Sequence, residues 1–229
     1  MKLVLFDIDG TLLWTDGAGR RSMEEALREV FGTKGDPGYR YDGKTDRQIA
    51  RDQMRGAGFD DARIDKDMEA VLNAYLLRLS GELARDKEAA RMCTGVAPLL
   101  DALEAHERAT LGLLTGNIAD GARHKLTAVG IDVKRFRVNA FGSDHELRPE
   151  LPGIAQKRAR ELLGLDVTGD GIVIIGDTPA DIHCGKSLGV RAIGVATGRY
   201  SVEELQSHNA AAVFADFSDT TAVVNAILN

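Results

Sequence analysis

Met1-Lys-Leu-Val-Leu-Phe-Asp-Ile-Asp-Gly-Thr-Leu-Leu13 opens the chain. Val4, Leu5 and Phe6 make a short run with no polar face, the pattern of a strand buried on both sides in a parallel sheet. Two carboxylates end the run, Asp7 and Asp9, with Gly10 and Thr11 directly behind them. Strand side chains alternate in direction, so the two acids reach one side only if a turn begins there, which Gly10 permits. Unpaired carboxylates beside a buried strand are costly. At the carboxyl end of a strand, in a crevice opened by glycine, such a pair suits one divalent cation and one carboxylate nucleophile. The plainer alternative is a strand end followed by a turn, a place where Asp is common.

From about residue 108 the same kind of apolar run recurs, alternating with helical patterns. Strands are expected at 110–114, 138–141, 171–175, 190–195 and 213–215. Between them, Asn117 is placed to cap a helix through Ile118, Leu126 and Val129, and Ser201 another through Leu205. Pro152 opens a stripe of Ile154, Ala155, Arg158, Ala159, Leu162 and Leu163, and helices follow at 179–188 and 220–228. This alternation predicts an α/β fold, a doubly wound and mainly parallel sheet of Rossmann-like kind.

Residues 17–90 break the rhythm, with no strand pattern among them. Met23, Ala26, Leu27, Val30 and Phe31 recur at helical spacing, a shorter helix covers 49–54, and Met68, Val71, Leu72, Tyr75, Leu76 and Leu79 form a third stripe. The expected division is a core of 1–16 and 91–229 and a small α-helical cap of 17–90 inserted after the first strand. An insert placed directly behind the two acids can serve as a lid over them.

Of the 229 residues, 44% are hydrophobic and 28% charged, enough for a true core under a soluble surface. The net charge of −6 argues against nucleic acid as an obligate partner. No apolar run approaches membrane-spanning length, and the first strand begins at residue 2 with no room for a leader ahead of it. Cys93 and Cys184 stand in no metal-ligand spacing, which reads as two thiols in a reducing compartment. The expectation is a cytoplasmic protein with no membrane partner, a monomer or weak homodimer.

Three apolar strands end in polar, glycine-containing signatures: Asp7-Ile-Asp9-Gly-Thr11, Thr115-Gly116-Asn117 and Gly176-Asp177-Thr-Pro-Ala-Asp181. In open α/β sheets ligands bind beyond the carboxyl ends of the strands, so these distant segments should meet. Each alone is a common turn; together they compose a phosphoryl-transfer site. Asp7 would attack phosphorus, and Asp9 would protonate the leaving oxygen and then activate water. Asp7, Asp9 and Asp177 are the candidate ligands for Mg2+. The Thr115 hydroxyl and the backbone N–H groups after Gly116, with Asn117, would cradle phosphate oxygens. Arg148 would offset charge on the transferring group. Asp181 would act on metal-bound water or on neighbouring side chains.

In these motifs the chain resembles the haloacid dehalogenase-like superfamily of hydrolases, in the branch of phosphoglycolate phosphatases and β-phosphoglucomutases. The likeness spans essentially the whole chain. It implies a Mg2+-dependent phosphatase of a small phosphorylated metabolite, working through an aspartyl phosphate. A phosphomutase is the alternative, and a non-hydrolytic phosphate-sensing protein a more distant one. Members commonly carry Lys-Pro as the third motif; Arg148-Pro149 stands there here, with Lys157 as a second candidate for that cation. Members resembling dehalogenases lack an acid at the place of Asp9, so its presence implies phosphate-ester chemistry. The cap segment from Tyr41 to Arg47 resembles the family's specificity loop, which makes Lys44 and Arg47 candidate contacts to an anionic substrate.

Overall fold

The structure is a computed structural model and describes residues 1–86 and 88–229. β1 (Lys2–Phe6) is the middle of a six-stranded parallel sheet, flanked on one side by β4 (Ala109–Thr115) and on the other by β6 (Ile172–Gly176). β5 (Val138–Phe141) lies outside β4, and β7 (Arg191–Val195) and β8 (Ala212–Phe214) lie outside β6. The strand order therefore reverses at β1, the topological switch point of a doubly wound sheet.

Side-chain alternation along β1 divides the core in two. Val4 and Phe6 face a layer built by α4 (Val96–Glu104), α5 (Ala119–Ala128) and α9 (Thr220–Leu228). Leu3 and Leu5 face the opposite layer, with Leu151, Ala155 and Ala159 of α6 (Leu151–Leu163) and Cys184 of α7 (Pro179–Cys184). This is why β1 carries only apolar residues between Lys2 and Asp7. Ser201 caps α8 (Val202–Ser207) in a reciprocal capping box with Glu204.

α1 (Ala18–Phe31), α2 (Asp46–Gly56) and α3 (Asp61–Arg85) surround a cluster of their own, with Met23, Leu27, Met54, Ile64, Val71, Tyr75 and Leu79 at its centre. Ile118 of the core joins that cluster. The helical segment is entered and left through a feature not expected from the sequence. β2 (Leu13–Trp14) pairs antiparallel with β3 (Arg91–Met92). Two residues per strand are too few to show a period of two, and both residues of β3 are exposed.

Two other expectations change. The helix expected over 179–188 ends at Cys184, and a separate 3-10 turn covers Lys186–Leu188. Asn117 does not cap α5: Ile118 holds the cap position without a side-chain bond, because the Asn117 side chain is engaged elsewhere. Cys93 and Cys184 are buried and free, and among the described residues no helix is long and apolar enough to cross a membrane.

Candidate active site

Adjacency of β1, β4 and β6 brings Asp7, Thr115 and Asp177 to one edge of the sheet. The Asp7 N–H is anchored to the Ile175 carbonyl at 2.9 Å. Asp7, Asp177 and Asp181 are all buried, and each offers an oxygen within 4.8 Å of the others. Among the described residues, one buried cation faces them. Arg148 Nη2 lies 3.2 Å from Asp7 Oδ2 and also bonds Asp181 Oδ1. Three carboxylates against one guanidinium leave an excess of negative charge in a low-dielectric pocket.

The electrostatics follow. Burial, reinforced by Asp181 and Asp9 against the pull of Arg148, pushes the Asp7 carboxyl up to about 6. Burial, with Asp181 and Asp7 beside it, raises Asp177 well above the carboxylate range. For Arg148, burial works against the charged form, but Asp181 and Asp7 outweigh it and the guanidinium is held more firmly protonated. Thr11 Oγ1 donates to Asp177 Oδ1 at 3.2 Å. The same carboxylate lies against two glycines: a Cβ on Gly10 would stand 2.4 Å from its Oδ2, and one on Gly198 1.8 Å. The donor set, all hard oxygen and short of positive charge, fits a divalent cation.

Within this triad the three acids differ. Both Asp181 oxygens are taken, Oδ2 by the Thr178 N–H at 3.0 Å and hydroxyl at 2.6 Å, and Oδ1 by Arg148. Asp181 therefore holds Arg148 in place, and Asp7 and Asp177 are the acids with oxygens to give a metal. Asp9, a candidate ligand by sequence, is not in the set. Lys125 Nζ donates to its Oδ1 at 2.8 Å and its Oδ2 at 2.7 Å, and Asn117 Nδ2 donates to Oδ2 at 2.7 Å. These partners occupy both oxygens of the carboxylate, which stays 38% exposed and lines the cavity.

The cavity holds about 500 Å3 and is lined by residues of core and insert together, including Asp7, Asp9, Thr115, Asn117, Arg148 and Asp177. Thr115 Oγ1 accepts from Asn117 Nδ2 at 2.8 Å, which leaves its own O–H free to donate. The backbone cradle expected behind Gly116 is largely occupied. The Ile118 N–H donates to Asp46 Oδ2 at 2.8 Å, and the Ala119 N–H donates to Ser143 Oγ at 3.3 Å. Lys44 lines the cavity, its ammonium bonded to the Tyr39 hydroxyl at 2.5 Å. Arg47 does not: it pairs with Glu69 of α3 at 2.5 Å and is absent from the lining, since its place on α2 faces the third helix. Lys157 sits on the outer face of α6, 74% exposed, so the cation at the site is Arg148.

Sequence reasoning missed Lys125 and Asp46. Both are buried. Lys125 lies on the inward stripe of α5 with Ile118, Ala122 and Leu126, and a lysine on an apolar stripe is a readable signal. Burial pushes the Asp46 carboxyl up to about 6 despite the opposing charge of Lys125. Asp46 comes from the insert, and its own N–H donates to the Gly116 carbonyl at 2.8 Å. The insert backbone is seated so closely here that a Cβ on Gly116 would lie 2.0 Å from the Lys44 carbonyl oxygen. Gly116→Ala is therefore expected to unseat the 41–46 loop and lower kcat/KM by about tenfold or more, with a far smaller change in the thermal unfolding midpoint of the core. Steady-state kinetics beside a melting curve checks this.

Residues 4–195 match the family profile described as haloacid dehalogenase-like hydrolase. A phosphoglycolate phosphatase of Rhodospirillum rubrum is 29% identical over 232 residues, covering 95% of this chain and 88% of its own. Among solved structures, a hydrolase from Pseudomonas syringae shares the fold with a TM-score of 0.73 at 21% identity, both chains covered in full. A protein of Bacteroides vulgatus assigned as a β-phosphoglucomutase shares it with a TM-score of 0.69 at 19% identity, over 99% of this chain and 88% of its own. The chain belongs to the haloacid dehalogenase-like hydrolase family. It is an enzyme, of the phosphatase type within that family.

Proposed function

We propose that the protein is a Mg2+-dependent phosphatase that hydrolyses a small phosphorylated metabolite, of phosphoglycolate or sugar phosphate type, through an aspartyl phosphate on Asp7. The observation that carries this reading is the buried acid cluster around Arg148, with Asp9 half-exposed on the wall of the same cavity. The phosphoglycolate phosphatase relative supports the substrate class.

A carboxylate oxygen of Asp7 attacks phosphorus and the ester P–O bond breaks. The leaving oxygen takes a proton from Asp9. Asp9, now ionised, takes a proton from water, whose oxygen attacks the same phosphorus and returns Asp7 and inorganic phosphate. Arg148 offsets charge on the transferring group, and the free Thr115 hydroxyl proton binds one of its oxygens. Mg2+, held by Asp7 and Asp177, would add positive charge where the phosphoryl group gathers negative charge. Residues 17–90 act as a cap that closes over the cavity and excludes bulk water; the loop carrying Lys44 sits where substrate specificity would be set.

Release of inorganic phosphate from phosphoglycolate and a panel of small sugar phosphates, with Mg2+ and with EDTA, tests the reading. Phosphate is expected with Mg2+ only. Isomerisation of a sugar phosphate without phosphate release would indicate a phosphomutase, and a stably phosphorylated Asp7 with no turnover would indicate a sensing protein. Asp177→Ala should raise the Mg2+ concentration for half-maximal rate by about tenfold or more, because few protein oxygens hold the ion. An unchanged Mg2+ titration in that variant would count against Asp177 as a ligand.

A further inference from the structure

Lys125 is a buried ammonium whose hydrogen bonds all stay inside the protein. Two go to Asp9, at 2.8 and 2.7 Å, and one goes to Asn117 Oδ1 at 2.6 Å. Asn117 closes the ring by donating to Asp9 Oδ2 and to Thr115 Oγ1. If packing alone governed position 125, an apolar residue would continue the stripe of Ile118, Ala122 and Leu126, since a buried ammonium must give up its hydration. The insert completes the enclosure. A Cβ on Gly19 would lie 3.2 Å from Lys125 Nζ and 3.8 Å from the hydroxyl of Tyr75.

We propose that Lys125 is a positioning residue for the reaction, fixing the Asp9 carboxyl so that it meets the leaving oxygen. The inference rests on the phosphatase reading above. Lys125 is not a second phosphate-binding cation, because its three donors are already bonded to Asp9 and Asn117, whereas Arg148 is the cation that touches Asp7. Lys125 and Asn117 grip the carboxylate from one side, and its exposed side faces the cavity. As Asp7 bonds to phosphorus and the ester P–O bond breaks, the proton passes from Asp9 to the departing oxygen. Without Lys125 the Asp9 side chain keeps its chemistry but loses its aim.

The consequence depends on the leaving group. An alkoxide needs that proton, whereas a nitrophenolate leaves without it. In a single turnover, Lys125→Met should slow release of the alcohol from an alkyl phosphate such as phosphoglycolate about a hundredfold. On p-nitrophenyl phosphate the first release of nitrophenolate should slow severalfold only, whereas steady-state turnover should fall on both esters, because water attack on the shared aspartyl phosphate also uses Asp9. Lys125→Arg should recover part of the alkyl activity, and Asp9→Asn should show the same selectivity as Lys125→Met. Gly19→Ala, which presses on Nζ from the insert, gives the same comparison should the Met variant fail to fold. An equal loss of first-turnover leaving-group release on both esters, or no loss on either, in a folded variant overturns the positioning role while leaving the phosphatase reading intact. If the unaltered protein releases phosphate from neither ester, both readings fall together.

Discussion

Asp7→Asn is expected to abolish turnover, by at least about ten-thousandfold, while leaving the fold intact and making it no less stable. The amide cannot serve as the nucleophile, and it gives a metal one neutral oxygen in place of an anionic one. The stability half of the expectation comes from the charge excess. Asp7 and Asp177 are buried acids whose proton affinities are raised in the fold. An acid with a raised pKa binds protons more readily folded than unfolded, so its contribution to stability falls as pH rises from the model-peptide value through about 6. Metal-free protein should accordingly lose stability between about pH 4 and pH 6, and Asp7→Asn should flatten part of that slope. Thermal melts of both proteins across this range, in EDTA, measure the difference. A variant that melts well below the parent at neutral pH would show that Asp7 holds the fold together.

Arg148→Ala carries the second large effect, and here catalysis and stability fall together. Loss of the fixed cation should lower kcat by about a hundredfold, on the order of 3 kcal/mol of transition-state stabilisation. The same change strips Asp181 of its partner and leaves Asp7 unopposed in a buried pocket, which costs about 3–5 kcal/mol of stability. Arg148→Lys separates the two consequences. It restores the charge on a shorter, flexible stem that does not fix it where Arg148 Nη2 touches Asp7, Asp181 and the Leu114 carbonyl, so stability should return further than rate. Lys157→Ala, on the exposed face of α6, should move neither. Rate measurements and denaturant unfolding on all three variants check this, and a silent Arg148→Ala would remove Arg148 from the chemistry.

The sheet was legible because its central strands β1, β4 and β6 are buried on both faces and so appear as mostly apolar runs, each ending in a polar, glycine-containing signature. Arg148 was legible from its place before a helix, and its burial against Asp7 follows from the packing of α6 under β4 and β5. What could not be read was orientation. Lys44 and Arg47 stand three residues apart in one loop and helix start, yet one lines the cavity and the other pairs with Glu69, a difference set by how α2 lies on α3. Asp9 was read as a candidate ligand because it stands two residues after Asp7 at the same strand end. Its actual partner, Lys125, lies 116 residues away and comes near only through the pairing of β1 with β4.

The short pairing of β2 with β3 has a consequence for how such chains diversify. It sets the two ends of the helical segment side by side, outside the six-stranded sheet. A long excursion between two adjacent points adds little closure entropy beyond that of a short one. Segments of other lengths and sequences can thus be grafted at the same two-rung junction without disturbing the hydrogen-bond register that aligns the reactive groups. A family built this way can exchange substrate preference as a cassette while its chemistry is inherited unchanged.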